Sequence, residues 1–343
     1  MKRTRGIFPF FHPTTVMFVD DNHHYLVGLA RHFVPMEACR FFVYPHDALA
    51  VLRGRAEPSP AGGCVSLFAD NPNPVRDHLI RLDLRSIATT LFNPARFAEV
   101  SVVVVNYDMP GINGVELCRE LADLPVKKLI FTGSADEHLA VEAFNEGVID
   151  GFMRKGEGKL FEQLGERITE LQRQYFADQS RFVAEALSYD SMEFLRDPGF
   201  IEFFQDLCRE RGVTEYYVSN EPTGLVLGDG DGRITLLAVQ SEAQMAATRE
   251  LASGLGVERE LVNEIARRRM MPVFWWGEGE SEGEPRAWAN HLYPAGSLAS
   301  GYYYALVEGV ERRMSEPPPL SFNDYLARRV AEQRGGESFV EAS

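Results

Sequence analysis

Residues 101–114 read SVVVVNYDMPGING. Four consecutive valines, β-branched and uninterrupted by polar residues, suit a strand covered on both faces. The run stops at Asn106 and turns through Met109-Pro110 and Gly111. In an open parallel sheet, chemistry gathers at the carboxyl ends of the central strands, where crossovers leave a crevice. The residue at that end here is Asn106, an amide.

The flanking segments carry the same pattern. Upstream, Thr15 to Asp20 (TVMFVD) is a short apolar strand closed by the acidic pair Asp20-Asp21, with Asn22 placed to cap a helix. Tyr25, Leu26, Leu29 and Phe33 follow at helical spacing, then a second strand, Arg40 to Tyr44, and a short helix through Ala48, Leu49 and Leu52. Downstream of Asn106, Asn113 opens a helix with Val115, Leu117, Cys118 and Leu121 apolar. The strand VKKLIFTGSA ends near Thr132, and the next helix carries Leu139, Val141, Ala143 and Phe144 before Gly147 stops it. Val148 to Arg154 is a fifth strand, and Lys155 closes it. The alternation predicts an α/β fold, a five-stranded doubly wound parallel sheet with helices on both faces. Right-handed crossovers bring the strand ends to one edge.

In sequence order, four strands therefore end in Asp20-Asp21, Asn106 with Met109-Pro110, Thr132, and Lys155 with Phe152 three residues before it. This constellation resembles the receiver domain of bacterial two-component response regulators, a flavodoxin-like fold. The likeness covers about Thr15 to Ile168. It implies that Asp20, Asp21 and the backbone carbonyl of Asp108 hold Mg²⁺. It also implies that Lys155 pairs with the acceptor or a phosphoryl oxygen, that Thr132 bonds the phosphoryl group, and that Phe152 is the aromatic switch. Such chemistry needs a hard cation to offset phosphoryl charge.

Two departures stand out. Asn106 occupies the phosphoacceptor position, where the family has aspartate, and an amide has no carboxylate to form an acyl phosphate. Mg²⁺ affinity should fall with the lost charge. Two explanations stay open at this level: a receiver whose output no longer depends on phosphate, or an Asp→Asn replacement that blocks it. Asp108 is a nearby acid, two residues out of register. The second departure is Gly156 after Lys155, where the family usually has proline, so a cis peptide is not expected there.

Composition narrows the function. The chain has 343 residues and a formal net charge of −15, which argues against a broad nucleic-acid surface. No apolar run reaches the roughly 18–20 residues of a membrane span, and MKRTRGIFPFFHP lacks the features of a signal peptide. Cys39, Cys64, Cys118 and Cys208 have no metal or redox spacing and read as free thiols of a cytoplasmic protein.

The expected organisation is a receiver over 1–157, a long helical linker over 158–197, an α+β domain over 198–312, and a tail with a short helix over 313–343. Residues 53–100 form an insertion, with the loop EPSPAGG, a helix around His78 to Leu91 and a break at Asn93-Pro94. It reads as a surface elaboration packed on the receiver, or else as a docking or dimerisation element. In the long helix, Leu164, Ile168, Leu171, Tyr175 and Phe182 share one side. That side serves either the core or a coiled coil between two copies.

The C-terminal domain offers a helix (GFIEFFQDLCRERG), a strand (TEYYVS) and a hairpin around GDGDG. Helices near Glu242 to Leu255 and Glu258 to Arg269 follow, then strands at Pro272 to Trp276 and Tyr302 to Val307. GDGDG reads as turn chemistry. His291 reads as structural, and Trp275, Trp276, Trp288, Tyr302, Tyr303 and Tyr304 as mostly core. No helix-turn-helix, cyclase or phosphodiesterase motif is present. The expected function is a non-enzymatic signalling protein whose output runs through protein contacts of this domain. The alternative is a receiver-regulated small-molecule sensor or enzyme. Expected partners are a sensor histidine kinase or phosphotransfer protein and a second copy, through the receiver and long helix.

Overall fold

The structure, a computed structural model, describes residues 6–34, 36–54, 65–68, 79–133, 137–156, 159–187, 192–275, 283–310, 318–334 and 340–341. In chain order its main elements begin with β1 (Phe10–Phe11), β2 (Thr15–Val19), α1 (His23–Phe33), β3 (Cys39–Phe42), α2 (Pro45–Gly54), β4 (Val65–Phe68) and β5 (Leu79–Leu82). There follow α3 (Leu84–Thr89), β6 (Val100–Asn106), α4 (Gly114–Glu120), β7 (Lys127–Thr132), α5 (Glu137–Asn145), β8 (Gly151–Arg154) and α6 (Leu160–Leu187). The remainder is α7 (Pro198–Arg211), β9 (Val213–Asn220), β10 (Thr223–Asp229), β11 (Ile234–Ser241), α8 (Glu242–Leu255) and α9 (Arg259–Ala266). Then come β12 (Met270–Pro272), β13 (Leu292–Pro294), β14 (Gly296–Ser297), β15 (Tyr302–Glu308), α10 (Phe322–Arg334) and β16 (Val340–Glu341).

The chain divides into two compact units, each drawn from several stretches. One comprises His12–Ser59, Pro94–Gln179 and Phe322–Ser343; the other comprises Met1–Phe11, Pro60–Asn93 and Ser180–Ser321.

The first unit holds the parallel sheet, in the order β16-β3-β2-β6-β7-β8. All five expected strands are present in doubly wound order, and every pair is parallel. Alternation along β6 explains why valine suits it. Val103 and Val105 join Met17, Val19 and Ile130 in one core cluster, while Val102 and Val104 join Phe18, Leu129 and Phe131 in another. Each buried valine contributes roughly 1.5 kcal/mol or more, which anchors a strand whose tip is polar. The tail differs from expectation. Rather than an appendage, it supplies α10, whose Phe322 and Tyr325 rings lie 5.2 and 5.5 Å from Phe97, and the sixth strand, pairing Val340 with Phe41.

The second unit is the expected α+β domain, with an antiparallel sheet in the order β1-β9-β10-β11-β15-β14. Helix α7 buries Phe200 and Phe204, and Phe204 meets Tyr216 of β9 at 5.0 Å. In the hairpin turn, Asp229 Oδ1 accepts the N–H groups of Asp231 and Arg233, both at 2.9 Å, so GDGDG is turn chemistry. Trp288 and Trp275 are buried, and the His291 ring lies tilted against Phe274 with centroids 4.8 Å apart. Trp276 and most of the acidic loop GEGESEGEPR lie outside the described residues.

Two boundary expectations need correction. Residues 60–93 of the insertion group with the antiparallel unit, not the parallel one. There β5 pairs antiparallel with β4 where a helix was expected from His78, and among the described residues of that stretch only Leu84–Thr89 is α-helical. Helix α3, capped by Asp83 and with Ile87 and Ala88 buried, packs against β9. The loop EPSPAGG lies outside the described residues. Second, Phe182 is 45% exposed, although Leu164, Ile168, Leu171 and Tyr175 are buried as expected. It lies about five turns from Leu164 on the same stripe. However, the parallel unit's share of α6 ends at Gln179, and the last turns bury Ser180, Val183 and Leu187 instead.

Candidate functional site

The turn after β6 is built to bring a helix close to the strand end. Asn113 and Glu116 form a capping box at the start of α4. A Cβ on Gly114 would stand 2.4 Å from the Asn106 carbonyl oxygen, so only glycine allows this approach. At the end of β8, Gly156 has φ +100°, a conformation closed to proline, and Glu221-Pro222 is the one cis peptide among the described residues. The chain thus leaves Lys155 by a glycine turn where the family usually has proline.

The strand ends bring Asp20, Asp21, Asn106 and Lys155 into one hydrogen-bonded group. Asp20 is buried and both its oxygens are engaged. Oδ2 accepts from the Lys155 ammonium at 2.7 Å and Oδ1 from the Asn22 N–H at 2.9 Å. Lys155 Nζ also donates to Asn106 Oδ1 at 2.8 Å. The Asn106 amide nitrogen donates in turn to Asp21 Oδ1 at 2.9 Å and to the Asp108 carbonyl at 2.8 Å. Two acceptors on one side and a cation on the other admit only this orientation of the amide. With a carboxylate at this position, three acceptors would face one another and would need a cation. The amide brings its own donors.

The remaining expected residues are near but differently engaged. Thr132 is buried at the end of β7. Its hydroxyl donates to the Gly133 carbonyl at 3.0 Å and its carbonyl accepts the Lys155 N–H at 2.8 Å. Phe152 packs against the core cluster that contains Ile130, with its ring edge-on to Phe144 at 6.4 Å.

Sequence reasoning passed over Tyr25, which looked like one more apolar position of α1. Its ring centroid lies 4.7 Å from Lys155 Nζ, and Phe131 flanks the same ammonium at 5.6 Å. A second polar group, at the opposite end of β6, was also missed. Glu99 accepts from His12 Nε2 at 2.9 Å and from the Tyr175 hydroxyl. Burial would push the Glu99 carboxyl up, but the His12 hydrogen bond and charge, with the Tyr175 hydroxyl, outweigh it and hold the carboxyl below its ordinary range. Beside it, the Thr14 and Ser101 hydroxyls meet at 2.6 Å.

Comparison with known proteins bears on the whole chain. The response regulator LqsR of Legionella pneumophila is 30% identical to it, with a TM-score of 0.76, over 96% of this chain and 99% of that one. Two curated relatives match through shorter stretches. The C4-dicarboxylate transport transcriptional regulatory protein DctD of Pseudomonas aeruginosa is 36% identical across 26% of this chain. The transcriptional regulatory protein FixJ of Rhizobium meliloti is 32% identical across 30%. The chain spans 21% and 55% of the lengths of those two relatives. No family model matches. No helix among the described residues is long and apolar enough to cross a membrane. The parallel sheet, the grouping at its strand ends and the full-length likeness together place this chain in the response-regulator family of two-component signal transduction, with a receiver domain built on that sheet.

Proposed function

We propose that this response regulator signals through a receiver that takes neither phosphate nor metal. The observation that carries the reading is Asn106. An amide cannot form the acyl phosphate of a carboxylate. Both ends of this one are already bonded to groups that a phosphoryl oxygen and its cation would engage. Receiver domains generally bind Mg²⁺ and interact with histidine kinases or phosphotransfer proteins. Here the donor set does not fit the cation. Asp20 is committed to Lys155 and Asn22, and Asp21 Oδ1 and the Asp108 carbonyl are committed to the Asn106 amide.

Asp20, Asp21 and Asp108 then serve as acceptors that keep Lys155 and Asn106 in place. The Thr132 hydroxyl, spent on Gly133, has no phosphoryl group to follow, and Phe152 keeps its packed position. A histidine kinase or phosphotransfer protein would dock on this receiver without donating phosphate. Output runs through protein contacts of the antiparallel unit rather than through catalysis there. In support, its tryptophans Trp275 and Trp288 are spent on packing and the His291 ring packs against Phe274.

The test is the intact mass of the full chain after acetyl phosphate and Mg²⁺, run beside Asn106→Asp. The expected outcome is a phosphoryl adduct on the Asp form only. Stoichiometric phosphorylation of the Asn106 chain would overturn the reading. A failure of both forms would show a pocket altered beyond one residue and would sink the idea that Asn106 alone silences it.

A further inference from the structure

Lys155 is held from more sides than its two oxygen partners require. An ammonium has three N–H donors. Asp20 Oδ2 and Asn106 Oδ1 take two of them, at 2.7 and 2.8 Å. The Tyr25 ring lies on the same nitrogen at 4.7 Å and the Phe131 ring at 5.6 Å, both within cation–π range. Tyr25 and Phe131 also touch each other, with ring centroids 5.8 Å apart.

Local structure places Tyr25 there. Asn22 caps α1, and its side-chain oxygen accepts the Tyr25 N–H at 3.1 Å. This fixes the first turn of the helix directly after the acidic pair. The Tyr25 hydroxyl is buried, yet it bonds nothing among the described residues. A buried hydroxyl without a partner is destabilising, so the hydroxyl does not account for the side chain's position. Burial, with the charge of Asp20 adding to it, pushes the hydroxyl's pKa up, and the ring faces Lys155 as a neutral phenol. What remains is the ring face.

We propose that Tyr25 is a positioning residue of the receiver pocket: its ring, with that of Phe131, holds the Lys155 ammonium on Asp20 and on the Asn106 carbonyl. In a receiver that takes phosphate, the phosphoryl group itself can hold this lysine. Here, on the reading that phosphate never arrives, the aromatic cradle does so permanently. The proposal rests on that reading for its purpose, but its geometry is tested separately.

The experiment is NMR on the full chain labelled at lysine with ¹³Cε and ¹⁵Nζ. The chain's lysines are Lys2, Lys127, Lys128, Lys155 and Lys159, so Lys155 can be assigned with Lys155→Met. Its Hε signals should lie upfield of the others because of the two rings, and its Nζ–H signal should persist because the ammonium is held. Tyr25→Phe should preserve both signatures and leave the melting temperature unchanged or higher. Tyr25→Leu should move Hε downfield and broaden Nζ–H. The Tm loss of Tyr25→Leu combined with Lys155→Met should be smaller than the sum of the single losses.

Unchanged Lys155 signals in Tyr25→Leu would overturn the proposal. An equal change in Tyr25→Phe would do so as well, by assigning the role to the hydroxyl. These signals are read without any phosphodonor. Phosphorylation of the Asn106 chain with the Tyr25 signature intact would therefore defeat only the reading of Asn106.

Discussion

Strand β6 is entered from Glu99 and left through Asn106, and the two ends treat charge in opposite ways. At the entrance a carboxylate is kept. Its donors, His12 and Tyr175, come from the chain itself and are buried around it. At the exit, the carboxylate that a receiver would carry is replaced by an amide, which bonds Asp21, the Asp108 carbonyl and Lys155 without outside help. A buried negative charge persists where the fold supplies donors. Where the donor would have to be a bound cation, changing one oxygen to an NH₂ group makes the pocket self-sufficient. The rest of the pocket survives because Asp20 and Lys155 still neutralise each other.

The largest test of this contrast is at the entrance. Glu99→Ala leaves His12 and the Tyr175 hydroxyl without their acceptor and should cost about 3 kcal/mol in urea unfolding. A loss within the scatter of surface substitutions would mean that the cluster is not structural. The same residue sets a pH dependence. Its folded carboxyl is depressed, so its contribution is fully present above the ordinary carboxyl range and is lost as the pH falls through the depressed value. Glu99→Gln should flatten the acid limb of stability against pH.

At the exit, Asn106→Asp should lose about 1–2 kcal/mol in metal-free buffer, since Asp21 and the Asp108 carbonyl lose their donor. Millimolar Mg²⁺ should restore it, while the Asn106 chain should show no Mg²⁺-dependent shift in Tm. Equal Mg²⁺ responses from both chains would erase the difference between the two ends. The smallest effect is expected for Thr14→Val, which breaks the buried Thr14–Ser101 hydrogen bond. A loss of about 1 kcal/mol, with the Mg²⁺ response unchanged, would confirm that the entrance network is independent of the exit.

Much of this was legible in residue order. The uninterrupted valine run, the helical spacing after each strand and the four strand-end residues were enough to assemble the parallel sheet and to bring Asp20, Asp21, Asn106 and Lys155 together. The antiparallel hairpin around GDGDG was legible too, because its turn chemistry is local. The His12–Glu99–Tyr175 cluster was not. Its members are separated by 87 and 76 positions, and a lone histidine, glutamate and tyrosine carry no spacing that links them. The insertion was assigned to the wrong unit for a related reason. The residues that α3 buries, Ile87 and Ala88, need a cover, and nothing in their spacing names it as β9.

The sequence by itself determined the class of the parallel sheet, the position of its crevice and the absence of a carboxylate at residue 106. These depend on periodicity, turn residues and residue identity, all of which are local. Only the tertiary structure decided that the Asn106 amide faces Asp21 and Asp108, that Tyr25 turns its ring to Lys155, and that Phe182 falls off the buried stripe. It also decided that the chain's last residues extend the parallel sheet beyond β3. Side-chain spacing records that a face is covered, whereas the identity of the cover depends on segments that meet only after the chain has folded.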